Sequence, residues 1–335
     1  REAITITDVA KTAGVSISTV SRVLNDKDDV AEETYERVQQ VIREMGYTAN
    51  LAARSMRSRR TNVIGMIVPD VEQPFSVTVM QGVNSAIAES NSDLIVYTSG
   101  TAKRRSIVER ERHYVALLSN SITDGVIVVA PTATGFVTHA PVVAVDFNHD
   151  NPQYPGVLST NWDGALEATQ HLIELGHKRI GFISGRPDLQ SAVRRTLGYE
   201  SAHEMAGIPM DPKLIEIGDY SMETGYECAC RLLDLADPPT AIFAANDQSA
   251  FSVFKAAEER GLNIPGDLSL VGFDNTLESA MTTPPLTTVD QSLKRMGYVA
   301  AKMLFDLISG IPLEHRIQKV PTTLVIREST FPPGN

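Results

Sequence analysis

The stretch Thr5-Ile6-Thr7-Asp8-Val9-Ala10-Lys11-Thr12-Ala13-Gly14-Val15-Ser16-Ile17-Ser18-Thr19-Val20-Ser21-Arg22-Val23-Leu24-Asn25 decides how the chain begins. Thr5 is placed to cap a helix, with Asp8 three positions on completing a capping box. Gly14 ends that helix, because a left-handed residue costs glycine little. Ser16 caps a second helix whose Val20, Val23 and Leu24 share one face. A third is predicted from Glu32 to Met45, with Val38, Val41, Ile42 and Met45 at helical spacing and Gly46 as its stop. With the valines turned inward, Ile17, Ser18, Ser21 and Arg22 face outward. Such a helix fits the major groove, where Arg22 can donate two bonds to guanine and Ile17 can meet a thymine methyl. Thr5, Ser16, Thr19 and Asn25 carry groups suited to phosphate, which fix position without reading sequence. Three capped helices taken alone also fit a plain surface bundle.

From Asn62 onward the texture changes. Short β-branched runs, Val63–Val68, Leu94–Thr98, Gly125–Val129 and Val142–Val145, and later Arg179–Ser184, Leu214–Ile217, Ala241–Ala245 and Leu268–Phe273, alternate with amphipathic helical stretches. That alternation implies right-handed βαβ units around parallel sheets. A break in rhythm near Thr160–Asp163 predicts two similar lobes rather than one wide sheet. A last helix, Leu293–Ile308, and an extended tail, Ile317–Ile326, follow. Asp146, Asn246 and Asp274 each fall just at the carboxyl end of a predicted strand, where open α/β sheets bind ligands. Each of them, taken singly, is equally well a strand-end cap.

The 335-residue chain carries a net charge of −11, unevenly spread. Residues 1–62 hold ten Lys/Arg and nine Asp/Glu, so the remainder is the acidic part. Arg54, Arg57, Arg59 and Arg60 crowd together with no acid among them, and a locally basic head permits contact with a polyanion. No run of apolar residues reaches the ~18–20 needed to span a membrane. Residues 1–20 lack the pattern of a secretory signal, so a cytoplasmic location is expected. Cys228 and Cys230, without clustered histidines, suggest neither a zinc set nor a disulfide framework. No phosphate-binding glycine loop, nucleophile elbow or His-Glu-x-x-His helix occurs, so no enzyme, cofactor or metal is expected.

The strings Ile6-Thr7-Asp8-Val9-Ala10, Ala13-Gly14-Val15-Ser16 and Ser18-Thr19-Val20-Ser21-Arg22-Val23-Leu24-Asn25 closely resemble the head of the LacI/GalR family of bacterial repressors. The resemblance continues through Gly46-Tyr47, Asn50, Ala245-Asn246-Asp247, Val271-Gly272-Phe273-Asp274 and Pro285-Leu286-Thr287-Thr288-Val289, covering essentially the whole chain. It implies an α/β protein: a three-helix helix-turn-helix DNA-binding head of residues 1–46, a hinge of 47–60, and a two-lobed periplasmic-binding-protein-like body of parallel sheets flanked by helices. The lobes are implied to be discontinuous, 61–160 with 291–319 and 161–290 with 320–330, followed by a tail of 331–335. The implied partners are a pseudo-palindromic double-stranded operator, a second copy of the chain and a small effector, with no membrane.

By the same resemblance, Asn50, Ala53, Arg54, Met56 and Arg57 belong to a hinge helix that lies in the minor groove. A segment that short is marginal alone in water, and Met56 stands where the family usually has a wedging Leu. Ala31 and Ala49 replace the family's usual Ser and Pro, which removes a cap and a stiff entry to the hinge. In the body, Asp146, Arg195, Tyr220, Asn246 and Asp274 are implied to line the effector cleft, with Phe75, Phe147 and Ser191 on the same walls. Leu293 stands where some relatives place a stacking aromatic. Carboxylates, amides and one aromatic ring suit a sugar or polyol; a purine-type co-repressor fits the same set. A solute-binding protein for transport would share the body but has no use for residues 1–60.

Overall fold

The computed structural model describes residues 4–24, 29–47, 60–90, 92–100, 106–120, 122–149 and 152–334. Asn25, Asn50, Ala53, Arg54, Met56 and Arg57, with most of the expected hinge, lie outside the described residues. Two units, Arg1–Thr61 and Asn62–Asn335, each hold their own core.

The first unit contains α1 (Ile6–Ala13), α2 (Ile17–Leu24) and α3 (Glu32–Met45). Thr5 accepts from the Asp8 amide while the Asp8 carboxylate accepts from the Thr5 amide at 2.9 Å, so the two orphan donors are satisfied reciprocally. Gly14 (φ 68°) and Gly46 (φ 62°) end α1 and α3 in the left-handed region, where a side chain would be strained. Ala31 gives α3 no side-chain cap, and Glu32 and Glu33 in the first turn face the positive end of the helix dipole instead. Val9, Ala10, Ala13, Val20, Val23, Val38 and Val41 form the core of this unit. Leu24, Ile42 and Met45 are only half-buried against it.

Among the described residues the second unit holds two six-stranded sheets with helices packed on them. The first runs β11-β5-β4-β3-β1-β2, with β1 (Val63–Val68), β2 (Asp93–Thr98), β3 (Gly125–Val129), β4 (Val142–Val145), β5 (Gly156–Ser159) and β11 (Ile317–Val320). The second runs β12-β10-β9-β8-β6-β7, with β6 (Ile180–Ser184), β7 (Ile215–Ile217), β8 (Ala241–Ala244), β9 (Ser269–Asp274), β10 (Thr287–Asp290) and β12 (Thr323–Val325). The strand pairs are parallel except β10 with β12, which is antiparallel. Central strands such as β1, β3 and β8 are buried along their whole length, which is why they read as unbroken apolar runs rather than alternating ones.

The chain passes between the sheets three times. It leaves β5 for helix α6 (Asn161–Glu174), leaves β10 for helix α10 (Leu293–Ile308), and leaves β11 for β12. Because Lys319 and Val320 still pair with Leu158 and Ser159, the third passage falls at Pro321-Thr322, just beyond Lys319. Strand β5 was not anticipated: four residues behind a proline-bearing loop carry too little periodicity to stand out. The tail expected as one extended piece is two strands in different sheets, divided at Pro321.

In the first lobe, α10 crosses helix α4 (Pro74–Ala88) at van der Waals distance through two glycines. A Cβ on Gly82 would lie 1.9 Å from the Lys294 carbonyl oxygen, and one on Gly297 2.1 Å from that of Val79. Leu293, Met296 and Ala300 share the resulting core with Val79 and Val83. Gly297→Val therefore pushes the two helices apart, at a cost of ~1–3 kcal/mol or more. The thermal midpoint of the second unit is expected to fall by about 2–4 °C for each kcal/mol lost, read by circular dichroism against the wild type.

Candidate functional site

Two regions of the described structure present functional groups, an exposed helix face in the first unit and a cleft-like cavity in the second.

Ser16 starts α2. Its hydroxyl accepts from the Thr19 amide at 3.1 Å and shares hydrogens with the hydroxyls of Ser18 at 2.7 Å and Thr19 at 2.8 Å. Ile17, Ser18 and Arg22 are exposed on this helix, as is Thr5 at the start of α1, whereas Thr19 and Ser21 are half-buried. Ile17 is 38% exposed, an unpaid apolar surface on a helix of eight residues. Arg22 meets Asp29 at 3.4 Å with both side chains more than half exposed, so little holds its guanidinium in place. The face thus offers one apolar group, one fork of five donors and several hydroxyls beside a helix N-terminus.

The cavity, about 420 Å³, lies between the two sheets of the second unit. Of the residues expected there, Phe75 and Asp146 line it from the first lobe, and Ser191, Arg195, Tyr220, Asn246 and Asp274 from the second. Phe147 does not. It is turned into the core of the first lobe, edge-on to Tyr154 at 6.1 Å, while its neighbour Asp146 lines the cavity, as alternation of consecutive side chains across a strand end would have it. Leu293 is likewise a core residue beside Met296.

Strand ends aim the polar groups. Asp146 follows β4 with φ 53°, Tyr220 follows β7 with φ 73°, and Asp274 ends β9 with φ 115°. Such backbone is costly for any residue but glycine and tends to gather at functional sites. Tyr220 in turn needs Gly185: a Cβ there would sit 2.1 Å from the ring. Asn246 caps helix α9 (Asp247–Glu258) by accepting from the Ser249 amide at 3.0 Å, and donates to the Tyr220 carbonyl at 3.0 Å. It is a strand-end cap and a cavity residue at once.

Arg195, on helix α7 (Gln190–Ala206), is 3% exposed. Its Nε donates to Asn161 Oδ1 at 2.8 Å, and its Nη1 donates to the Ala245 carbonyl and lies 3.7 Å from Asp274 Oδ1. The guanidinium also lies over the Phe273 ring at 3.8 Å. Burial pushes the carboxyls of Asp146 and Asp274 above the usual range, and Arg195 opposes this at both. Behind them Asp247 is raised by burial and by the charge of Asp274. Among the described residues no side chain or amide hydrogen-bonds the Asp146 carboxylate, which leaves its oxygens for a ligand.

Sequence reasoning missed Gln291, Thr276 and Glu111, which also line the cavity. Glu111 accepts from the Thr132 and Ala133 amides at 2.9 and 2.7 Å and so fixes the loop beside Ala130. Thr276 is buried against Asp247, its amide donating to Asp247 Oδ2 at 2.8 Å. These three lie on a helix, a turn and a lobe crossing, none of which carries a strand-end signal. Among the described residues no cluster of His, Cys, Asp and Glu has metal-binding geometry, and no helix is long and apolar enough to cross a membrane.

The family model for bacterial regulatory proteins, lacI family, matches residues 5–50, and that for a periplasmic binding protein-like domain matches residues 169–330. The chain is 33% identical over 336 residues to the HTH-type transcriptional repressor PurR of Aliivibrio fischeri (strain MJ11), covering 98% of each protein. Among solved structures, the transcriptional regulator CelR–cellobiose complex is 31% identical with a TM-score of 0.71, covering 97% of this chain and 99% of that one. The Lac repressor dimer bound to operator and the anti-inducer ONPF is 27% identical with a TM-score of 0.83, covering 98% and 100%.

The Asp146 carboxylate gives a direct check on the cavity. A raised pKa means the folded chain holds this proton more tightly than the unfolded one, so folded stability declines as pH climbs from the ordinary carboxylate range through the raised value. Asp146→Asn removes that loss. Its thermal midpoint is expected to exceed the wild type's by a few degrees at pH 8, with the gap closing by pH 4, in parallel melts across that range.

Proposed function

Because the chain belongs to the lacI family of bacterial regulatory proteins, a family of DNA-binding transcriptional regulators, we propose that it is a repressor whose operator affinity is set by a carbohydrate-type effector in the interlobe cavity. As a dimer it reads a pseudo-palindromic operator, each copy placing α2 in the major groove, with half-sites about one helical turn or less apart. Ile17 and Arg22 contact base edges, while Thr5, Ser16, Ser18, Thr19, Ser21 and Asn25 hold phosphate or the groove wall. The hinge residues Asn50, Ala53, Arg54, Met56 and Arg57 order on the minor groove, Met56 acting as the wedge.

One observation carries the effector class. Asp146, Asn246 and Asp274 converge with Arg195 on one cavity beside the Phe75 and Tyr220 rings. A carboxylate accepts from two neighbouring hydroxyls at once, a guanidinium donates to two, and an aromatic ring covers the apolar face of a pyranose. The volume, about 420 Å³, lies within the range of small-molecule sites, roughly 300–1,000 Å³. The cellobiose complex of a regulator 31% identical over nearly the whole chain supports this reading. A purine-type effector is the second reading, supported about equally by the likeness to a repressor named PurR; Arg195 and Asp274 offer a donor and an acceptor for the edge of a base.

The test is a gel shift on duplexes selected from random sequence by the full-length protein, with cellobiose, ribose, hypoxanthine or guanine added in turn. A sugar is expected to change operator affinity by about 5–150-fold, with DNA changing the sugar's affinity by the same factor. A response to a base alone would replace the first reading by the second. If the protein selects no duplex, the regulator role itself fails. Arg22→Ala is expected to relax discrimination at one base pair per half-site, at ~1–3 kcal/mol, measured by competition between single-position operator variants.

A further inference from the structure

The cavity floor is tied to the lobe crossings by a closed circuit of buried polar groups. The Ser159 hydroxyl, at the end of β5, donates to Gln291 Oε1 at 2.7 Å. The Gln291 amide donates to Asp274 Oδ1, Asp274 faces Arg195 Nη1 at 3.7 Å, and Arg195 Nε donates to Asn161 Oδ1 at 2.8 Å. Asn161 Nδ2 returns to the Ser159 carbonyl at 3.5 Å. Every member is buried: Gln291 at 0%, Ser159 and Asn161 at 2%, Arg195 at 3% and Asp274 at 8%.

The membership is what gives the circuit meaning. Arg195 and Asp274 are cavity residues of the second lobe, whereas Ser159 belongs to the first sheet. Asn161 sits on the first crossing and Gln291 on the second. The third crossing is fastened to the first by Thr160 and Thr322, whose hydroxyls meet at 3.0 Å while the Thr322 amide donates to Thr160 Oγ1 at 3.0 Å. The Gln291 amide has one workable orientation, because reversing it would set its oxygen against the Asp274 carboxylate. A rotation of one lobe against the other moves Ser159 relative to Asp274 and must lengthen or break a bond of the circuit. A ligand that bonds Arg195 and Asp274 draws on the same donors and acceptors.

We propose that Asn161 and Gln291 are positioning residues which couple occupancy of the cavity to the angle between the lobes, acting through Arg195 and Asp274. The proposal rests on the reading of the cavity as the effector site. In a buried network, loss of one member leaves its neighbours unsatisfied, so such circuits tend to hold one arrangement until something replaces a partner. A ligand shifts a conformational equilibrium only by its differential interaction with the two states, and this circuit supplies a difference at the ligand-facing atoms.

The test uses the full-length chain and a duplex selected by the wild-type protein. Gln291→Met and Asn161→Ala are compared with Tyr199→Phe, which deletes a buried hydroxyl bond to the Ile180 carbonyl (2.8 Å) in the same lobe but outside the circuit. Ser159→Ala, losing a single hydroxyl, serves if the larger changes do not fold. The first readout is operator affinity without any small molecule. The circuit variants are expected to shift it five-fold or more, and Tyr199→Phe to leave it within two-fold even where the melting temperatures of all fall alike. Circuit variants that stay within two-fold of wild type, or that move no further than Tyr199→Phe, overturn the proposal. The second readout is calorimetric titration of the wild type with cellobiose and with hypoxanthine. Absence of heat for both sinks the effector reading of the cavity, while the ligand-free operator result still decides the role of the circuit.

Discussion

A guanidinium buried to 3% exposure constrains much of what surrounds it. Removing such a charge from water costs several kcal/mol, recovered only where partners are numerous and well placed. Arg195 has a carbonyl, an amide oxygen, a carboxylate and an aromatic face around it. They come from three pieces of chain: the carbonyl from the end of β8, the amide oxygen from the first lobe crossing, and the carboxylate and ring together from the end of β9. The requirement to satisfy this one side chain therefore fixes three segments relative to one another, and the ends of β8 and β9 among them border the cavity through Asn246 and Asp274. A lysine would not serve, since a single ammonium cannot present a planar fork to several acceptors while its face stacks on Phe273.

The cavity also gathers strained backbone: of the seven described non-glycine residues with positive φ, four line it. Ala130, Asp146, Tyr220, Asp274 and Asn275 all have positive φ, and Ala130, Asp146, Tyr220 and Asp274 line the cavity. A sparsely populated φ/ψ costs of order 1–3 kcal/mol, so the strand ends around the cavity lower stability together. The buried carboxyls of Asp146 and Asp274 add to this, their shifted titration being the sign of desolvation without full compensation. What offsets these terms is remote: the apolar runs of β1, β3, β4, β8 and β9 and the helices seated on them. Packing and ligand-facing groups are thus divided between the middles of the strands and their carboxyl ends.

That division explains what could be read in advance. Capping residues act on neighbours in sequence, so Thr5 with Asp8, Gly14, Ser16 and Gly46 announced the first unit, and the missing cap at Ala31 was equally plain. Buried parallel strands are runs of β-branched residues, so most of them stood out, and the residues just past them marked Asp146, Asn246 and Asp274. Adjacency to a strand end does not tell which way the next side chain turns, and Phe147, expected on the cavity wall, packs in the core of the first lobe instead. The roles of Gln291 and Asn161 were invisible, since the two lie 130 positions apart and are linked only through Ser159, Arg195 and Asp274 once both sheets have formed. Strand β5 was short, and its pairing with β11 depends on a segment more than 150 residues away.

Under the proposed function the two walls of the cavity do different work. The second lobe brings Ser191, Arg195, Tyr220, Asn246 and Asp274, most of them already bonded to its own backbone or to one another. The first lobe brings Phe75 and an Asp146 whose carboxylate has no hydrogen-bond partner among the described residues. A prearranged wall binds without much loss of freedom, so a ligand is held chiefly by the second lobe. The carboxylate opposite, which no hydrogen bond satisfies among the described residues, gains when a ligand supplies hydroxyls to it, because a buried charge lacking hydrogen bonds is costly. The free energy of that last contact is available only when the lobes are close enough for Asp146 to reach the bound molecule, so under the proposed function occupancy and lobe separation are linked through this one carboxylate.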